Sequence, residues 1–366
     1  MKVCKNNEDF NLHKASVVDL FCGAGGLTHG FLLEKISVNA GIDFDKGCRY
    51  AFERNNGVSF IEKDVEKVSV EDVVALYPEG HIKILAGCAP CQPFSKFTQG
   101  NKNYNDRKWR LLSEFGRIIE GVKPEIVTME NVPQVTRYEV FKKFVSNLKK
   151  LGYEVSWRIV VSPLYGVPQT RERLVLLASK FGPIELIPPT HTSDRYVTVK
   201  DTIGHLEPLK AGQASLTDRY HRCQNLTDIN MRRIKSSRPG GTWRDWDEEL
   251  ILACHRKKSG SHYSSVYGRM KWDEPSPTMT TNCYNFGSGR FGHPEQDRPI
   301  SLREAALLQT FPKDYEFLDP ETGMNIRTVA MLIGNAVPVE LGRVIAKSIL
   351  RHLRTHFHGL SSHSSN

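Results

Sequence analysis

Short apolar runs alternate with amphipathic stretches through the first half of the chain. Val17 to Phe21, Val38 to Ile42, Val58 to Ile61, His81 to Ala86 and Glu125 to Met129 predict five strands. Between them, residues 26–35, 45–55, 69–77 and 110–122 carry helical patterning. Strands alternating with helices predict an α/β fold: a mixed, mostly parallel sheet with helices on both faces. The pattern holds to about Ala178 and then breaks at Pro183, Pro188 and Pro189. Residues 190–297 are rich in Gly, Ser, Thr, Arg and Tyr with little helical periodicity, which predicts a second, smaller, irregular domain. Regularity returns near 298. Residues 301–309 read as a helix, and Val339, Leu341, Val344, Ile345, Ile349, Leu350 and Leu353 form the apolar stripe of a last one.

The resulting organisation is a flexible start (1–14), a first α/β segment (15–187) and the smaller domain (188–297). A hinge (298–325), a returning α/β segment (326–355) and a disordered tail (356–366) complete it. Composition narrows the class. The 366 residues suffice for about two domains. Lys and Arg number 50 against 41 Asp and Glu, a formal charge of +9 that weakly favours an anionic partner. No apolar run approaches the roughly 20 residues of a bilayer span, and the start carries no signal-peptide core. The 8 cysteines are too sparse for a disulfide scaffold, which predicts reduced thiols and a cytoplasmic protein.

Four motifs could carry chemistry. The first is Asp19-Leu20-Phe21-Cys22-Gly23-Ala24-Gly25-Gly26, a strand running into a glycine loop and a helix start. Such a loop lets a ligand approach the backbone and the free N–H groups of the helix. Asp43 follows Gly23 by 20 residues, at the end of the next strand, where a carboxylate reaches ribose hydroxyls. Thr28 occupies the third glycine position of the dinucleotide pattern. A ligand with ribose and adenine but no pyrophosphate, such as S-adenosylmethionine, therefore fits better. A tight turn with helix packing is the alternative.

The second motif, Gly87-Cys88-Ala89-Pro90-Cys91-Gln92-Pro93, follows the fourth strand, where open α/β sheets bind ligands. Cys91 is placed as a nucleophile there. A redox pair of Cys88 and Cys91, half a zinc site, and inert core cysteine are the alternatives. The third is Glu130-Asn131-Val132-Pro133, ending the fifth strand in the same row. The fourth is Gln169-Thr170-Arg171-Glu172-Arg173, whose arginines alternate as on a strand and could organise a carboxylate or phosphate.

Taken together and in order, these motifs resemble those of the DNA (cytosine-5)-methyltransferase family. The resemblance spans about residues 16–350. It adds Ser301 to Gln309 and Gly334-Asn335-Ala336-Val337, while Ala89 stands where the family more often has a second proline. The resemblance implies a Rossmann-like S-adenosylmethionine-dependent fold and covalent catalysis. Cys91 adds to cytosine C6, C5 attacks the methyl group, and loss of the C5 proton expels the thiol. An ordinary thiol is only about 3% thiolate at pH 7, so proton removal during attack would help. Glu130 is the acid at N3. Arg171 positions Glu130 and the base, and Arg173 supports the site. Phe21, Gly23, Gly25, Pro90 and Asn335 line the cofactor. Asp43 takes the ribose, Phe44 the adenine face and Asp64 the adenine amine. No metal is implied.

The target carbon lies inside the stack, so the base must be flipped out. The stretch Lys96 to Arg110 is the candidate element that closes over it. Gln92, Ser95, Lys96, Arg107 and Lys108 are its candidate DNA contacts. In the smaller domain, the implied target-recognition region, 16 basic face 13 acidic residues over 191–297. The cations cluster at Arg232, Arg233 and Arg238 and at Arg256 and Lys257, with Trp243, Trp246, Tyr263 and Tyr267 among and after them. Phosphate grip and groove reading fall to this region. Thr278 to Thr281 resembles the segment that shapes it.

The implied protein is a monomeric, cytoplasmic modification enzyme of a restriction–modification system. It acts on double-stranded DNA and releases S-adenosylhomocysteine. A restriction endonuclease would be encoded nearby, without a stable complex. Two alternatives are a tRNA cytosine-5 methyltransferase, whose Cys-Phe-Thr signature is absent here, and a non-catalytic DNA-binding homologue.

Overall fold

The computed structural model describes residues 14–90, 107–258, 260 and 263–363. Cys91, Gln92, Ser95 and Lys96 lie outside the described residues, as do the side chains of Arg107 and Lys108. The chain forms two compact units. The first comprises residues 1–160, 172–188 and 341–366, and the second 161–171 and 189–340.

The first unit is built on a seven-stranded sheet. Its strands are β1 (Ala15–Leu20), β2 (Ser37–Asp43), β3 (Ser59–Glu62), β4 (Ile82–Gly87), β5 (Ile126–Asn131), β6 (Glu154–Val161) and β7 (Glu172–Ser179), in the order β3-β2-β1-β4-β5-β7-β6. β1, β4 and β5 run parallel, with Leu20 opposite Gly87 and Gly87 opposite Met129. Every residue of β1 and β5 is buried, as a parallel sheet covered on both faces requires. β7 is antiparallel to β5, setting Glu130 opposite Val175. It follows β6 without a crossover helix, and only such a crossover would return the chain parallel.

The helices of this unit include α1 (Gly26–Leu33), α2 (Arg49–Asn56), α3 (Val70–Val74), α4 (Arg107–Val122) and α5 (Glu139–Lys150). Phe115 of α4 and Phe144 of α5 stack at 5.7 Å within the core. A Cβ on Gly30 of α1 would stand 2.6 Å from the Gly342 backbone, so the two glycines let the last helix touch α1. That helix, α11, runs Val339–His363, past residue 355 where the sequence reading ends it. The expected disordered tail is thus helical to His363. His356 stacks on Phe181 at 4.6 Å and Phe357 meets the same ring edge-on, a contact no local pattern announces.

The second unit holds α6 (Val199–Ile203), α7 (Asp228–Ser236), α8 (Ala253–Arg256), α9 (Leu302–Leu308) and α10 (Ile326–Asn335). Residues 301–340 cluster with it, and the return to the first unit comes at Leu341. Buried polar hubs replace regular ladders. Arg298 is fully buried and clasps Glu304 through two hydrogen bonds, at 2.8 and 2.7 Å. Burial opposes the Glu304 charge, but the Arg298 guanidinium holds its carboxyl down at about 2. Arg269 donates to the carbonyls of Ile234, Ser237, His293 and Gln296 and pairs with Asp297. The stretch Ile326–Phe357 is apolar enough for a bilayer span, yet 72% of its apolar window is buried in protein.

Candidate active site and cofactor cradle

The strand ends β1, β2 and β5 present the chemistry. β1 leads into Phe21 at φ 59°, then Gly23 at φ 52° and Gly25 at φ 89°, the last of these forming the N-cap of α1. The loop is fastened to β2. Gly23 N–H donates to Asp43 Oδ2 and Asp45 N–H to Oδ1, both at 3.0 Å. Burial pushes the Asp43 carboxyl above its ordinary 3.8, against the pull of these amides. A Cβ on Gly23 would meet nothing within 4 Å, so open space faces the loop. Phe44, 66% exposed, presents an apolar ring beside Asp43. Asp64 follows β3, where it accepts from Glu66 N–H at 3.2 Å. These groups fit the chemistry of a nucleoside: a carboxylate at each of two strand ends, an exposed aromatic ring and backbone without side chains. Pro90, half-buried, closes the described part of the loop after β4.

Thr28 has its own reason to replace the third glycine. Its hydroxyl donates to Asp19 Oδ2 at 2.7 Å within the core. Burial, more than the nearby Asp43, raises the Asp19 carboxyl from 3.8 to about 7. The folded state therefore holds a proton that the unfolded chain releases above about pH 4, and this residue's contribution to stability falls from there to about pH 7. We expect Asp19→Asn to shift in its own favour, relative to the natural protein, as pH rises from 5 to 8. Thermal melts at both pH values check this. A gap that does not change with pH refutes a neutral Asp19.

Glu130 is the penultimate residue of β5 and is 3% exposed. Its Oε2 lies 3.0 Å from the Cys88 thiol, and its Oε1 lies 2.9 Å from Arg173 Nε. That ion pair is not a directed hydrogen bond, because Oε1 has no hydrogen-bond partner. Asn131 ties the neighbouring loop down. Its Nδ2 donates to the Ala89 carbonyl at 3.1 Å while its Oδ1 accepts from Val132 N–H. The sequence reading has Arg171 positioning Glu130 and Arg173 in support. In the structure Arg173 lies against Glu130, and Arg171, 3% exposed, donates to the carbonyls of Met279 and Ala336 within its own unit. Arg171 precedes β7, so the strand alternation expected to align the two arginines does not reach it.

In the second unit, Gln169 and Gln309 form one amide bridge. Gln169 accepts from Met279 N–H and donates to Gln309, which donates to the carbonyls of Ile333 and Ala336. Gly334 lets α10 meet Thr280 and Thr281, where a Cβ would stand 2.4 Å from backbone. Asn335, the next residue, is exposed. Of the candidate DNA contacts, Arg233 is engaged in the fold: it donates to Leu250 O and lies over the Trp246 and Tyr267 rings. Arg232 pairs with Glu249, Arg238 with Asp245 at 3.1 Å, and Arg256 donates to Glu248 O. Arg232, Arg238, Arg256 and Lys257 are exposed. Cys88 and Asn131 are contributors that sequence reasoning left without a role. Each acts across 42 residues, a separation only the sheet closes.

A sheet of this order with its reversed β7, a glycine loop and a strand-end acid define the S-adenosylmethionine-type α/β methyltransferase class. The chain belongs to the C-5 cytosine-specific DNA methylase family, which it matches over residues 15–351. It is 56% identical to the Type II methylase M.HgiDII of Herpetosiphon aurantiacus over 92% of this chain and 96% of that one. It is 31% identical to the Type II methyltransferase M.Sau96I of Staphylococcus aureus, over 95% and 77% of the two chains. Among solved structures, a prophage-encoded Escherichia coli chain shares the fold with a TM-score of 0.71, at 20% identity over 93% of this chain and 99% of that one.

Proposed function

We propose that this DNA cytosine-5 methyltransferase modifies one short duplex sequence as the protective half of a restriction–modification system. The observation that carries the reading is Glu130, buried at the end of β5 between Cys88 and Arg173, one strand from the loop that leads to Cys91. S-adenosylmethionine, bound, would supply the electrophilic methyl group. Asp43, Phe44, Asp64, Phe21, Gly23, Gly25, Pro90 and Asn335 are the residues to hold it.

The chain's own groups act on the base. The Cys91 thiolate forms a bond to C6 of an extruded cytosine, and the displaced π electrons run towards N3. Glu130 meets that charge with a proton or a hydrogen bond at N3. This makes C5 an enamine-type nucleophile. After C5 gains its methyl, a base removes the C5 proton, the electron pair re-forms the C5–C6 double bond, Cys91 leaves as thiolate, and N3 returns any proton it took to Glu130. Arg173 fixes the carboxylate, and Arg171 organises the segments at Met279 and Ala336.

The second unit reads the sequence. Arg232, Arg238, Arg256 and Lys257 contact phosphates there, with Arg107 and Lys108 beside the target. Arg233 holds the aromatic cluster beneath them. The protein works as a monomer in the cytoplasm, on the bacterial chromosome. Expression in a host lacking cytosine methylation, followed by bisulfite sequencing, tests the proposal. One short motif protected throughout the genome is the expected result. Unprotected cytosine everywhere overturns it.

A further inference from the structure

The Cys88 thiol is bound up with the buried acid rather than with a second sulfur. Its backbone N–H donates to Leu20 O on β1, and the carbonyl of the next residue is held by Asn131. The loop is thus pinned on both sides, with Cys88 Sγ 3.0 Å from Glu130 Oε2. The other carboxylate oxygen, Oε1, is fully buried and has no hydrogen-bond partner, although Arg173 lies beside it. Arg173 offsets its charge, and its hydrogen-bonding sites stay open to a donor on a ligand. A glutamate carboxylate turns freely about its last torsion. Anchoring Oε2 opposite the Arg173 ion pair sets where Oε1 points, so the thiol contributes to which oxygen meets the base.

We propose that Cys88 is a positioning residue for Glu130, its S–H holding Oε2 so that Oε1 stays aimed at the cytosine ring. This rests on the proposed role of Glu130. Cys88 also has half-buried exposure and a place three residues before the nucleophile, so the alternative is ordinary loop packing.

Steady-state methylation by the full chain decides between them. Cys88→Ala is expected to lower kcat about three- to tenfold, with KM for DNA and for S-adenosylmethionine unchanged within about twofold. Cys88→Ser, which keeps a donor, is expected to recover kcat to within about twofold of the natural enzyme. Where alanine lets the loop collapse, Cys88→Thr and Cys88→Val make the same comparison at equal shape, and threonine should be the faster. Natural kcat in Cys88→Ala overturns the assignment. So do equal losses in the donor and non-donor variants. A natural enzyme that transfers no methyl to DNA overturns the proposed function instead, which keeps the two failures distinct.

Discussion

Cys91→Ala is expected to lose methyl transfer to duplex DNA by more than about a thousandfold, with cofactor and DNA binding retained. The reason is chemical. Cytosine C5 is too poor a nucleophile to take a methyl group at a useful rate. Covalent addition at C6 is what lends it electron density, and alanine offers no atom to add. DNA carrying 5-fluorocytosine makes the same point by trapping. Fluorine cannot leave C5 as a proton does, so the natural enzyme stalls as a covalent complex. Denaturing gels of natural and Cys91→Ala protein on such DNA check this. A trapped complex formed by Cys91→Ala would assign the nucleophile elsewhere, with Cys88 the first place to look.

The second large effect belongs to Glu130. Glu130→Gln keeps the side-chain volume and an acceptor for Cys88, but removes the proton exchange that the N3 step asks for. We expect kcat to fall by about 10²- to 10⁴-fold, with the KM for DNA little changed. Glutamine is preferred to alanine, since alanine would add a cavity and remove every acceptor beside Arg173, 15% exposed, mixing a larger folding defect with the catalytic one. Single-turnover rates separate chemistry from binding. A kcat within tenfold of the natural enzyme contradicts Glu130 as the acid.

The parts of this site that sequence shows well are those set by one strand and its end. β1, β2, β4 and β5 announce themselves as short runs of buried apolar residues, and Asp43 and Glu130 fall at their termini for that reason. What depends on partners far along the chain stays hidden. The Cys88–Glu130 contact joins the ends of two strands, and Arg173 reaches Glu130 from β7. The part of α11 beyond residue 355 meets Phe181, some 175 residues earlier in the chain, through His356 and Phe357. The basic clusters show the opposite limit. Composition marks Arg233 as a surface cation, yet its guanidinium is spent on Leu250 and two aromatic rings.

The most direct test offers the full chain S-adenosylmethionine labelled in its methyl group, with duplex DNA and tRNA in parallel, and digests the products to nucleosides. Label in DNA as 5-methylcytosine, absent from tRNA and lost with Cys91→Ala, is the predicted outcome. Label in tRNA alone would move the substrate to RNA, and label in neither would leave a DNA-binding homologue without catalysis.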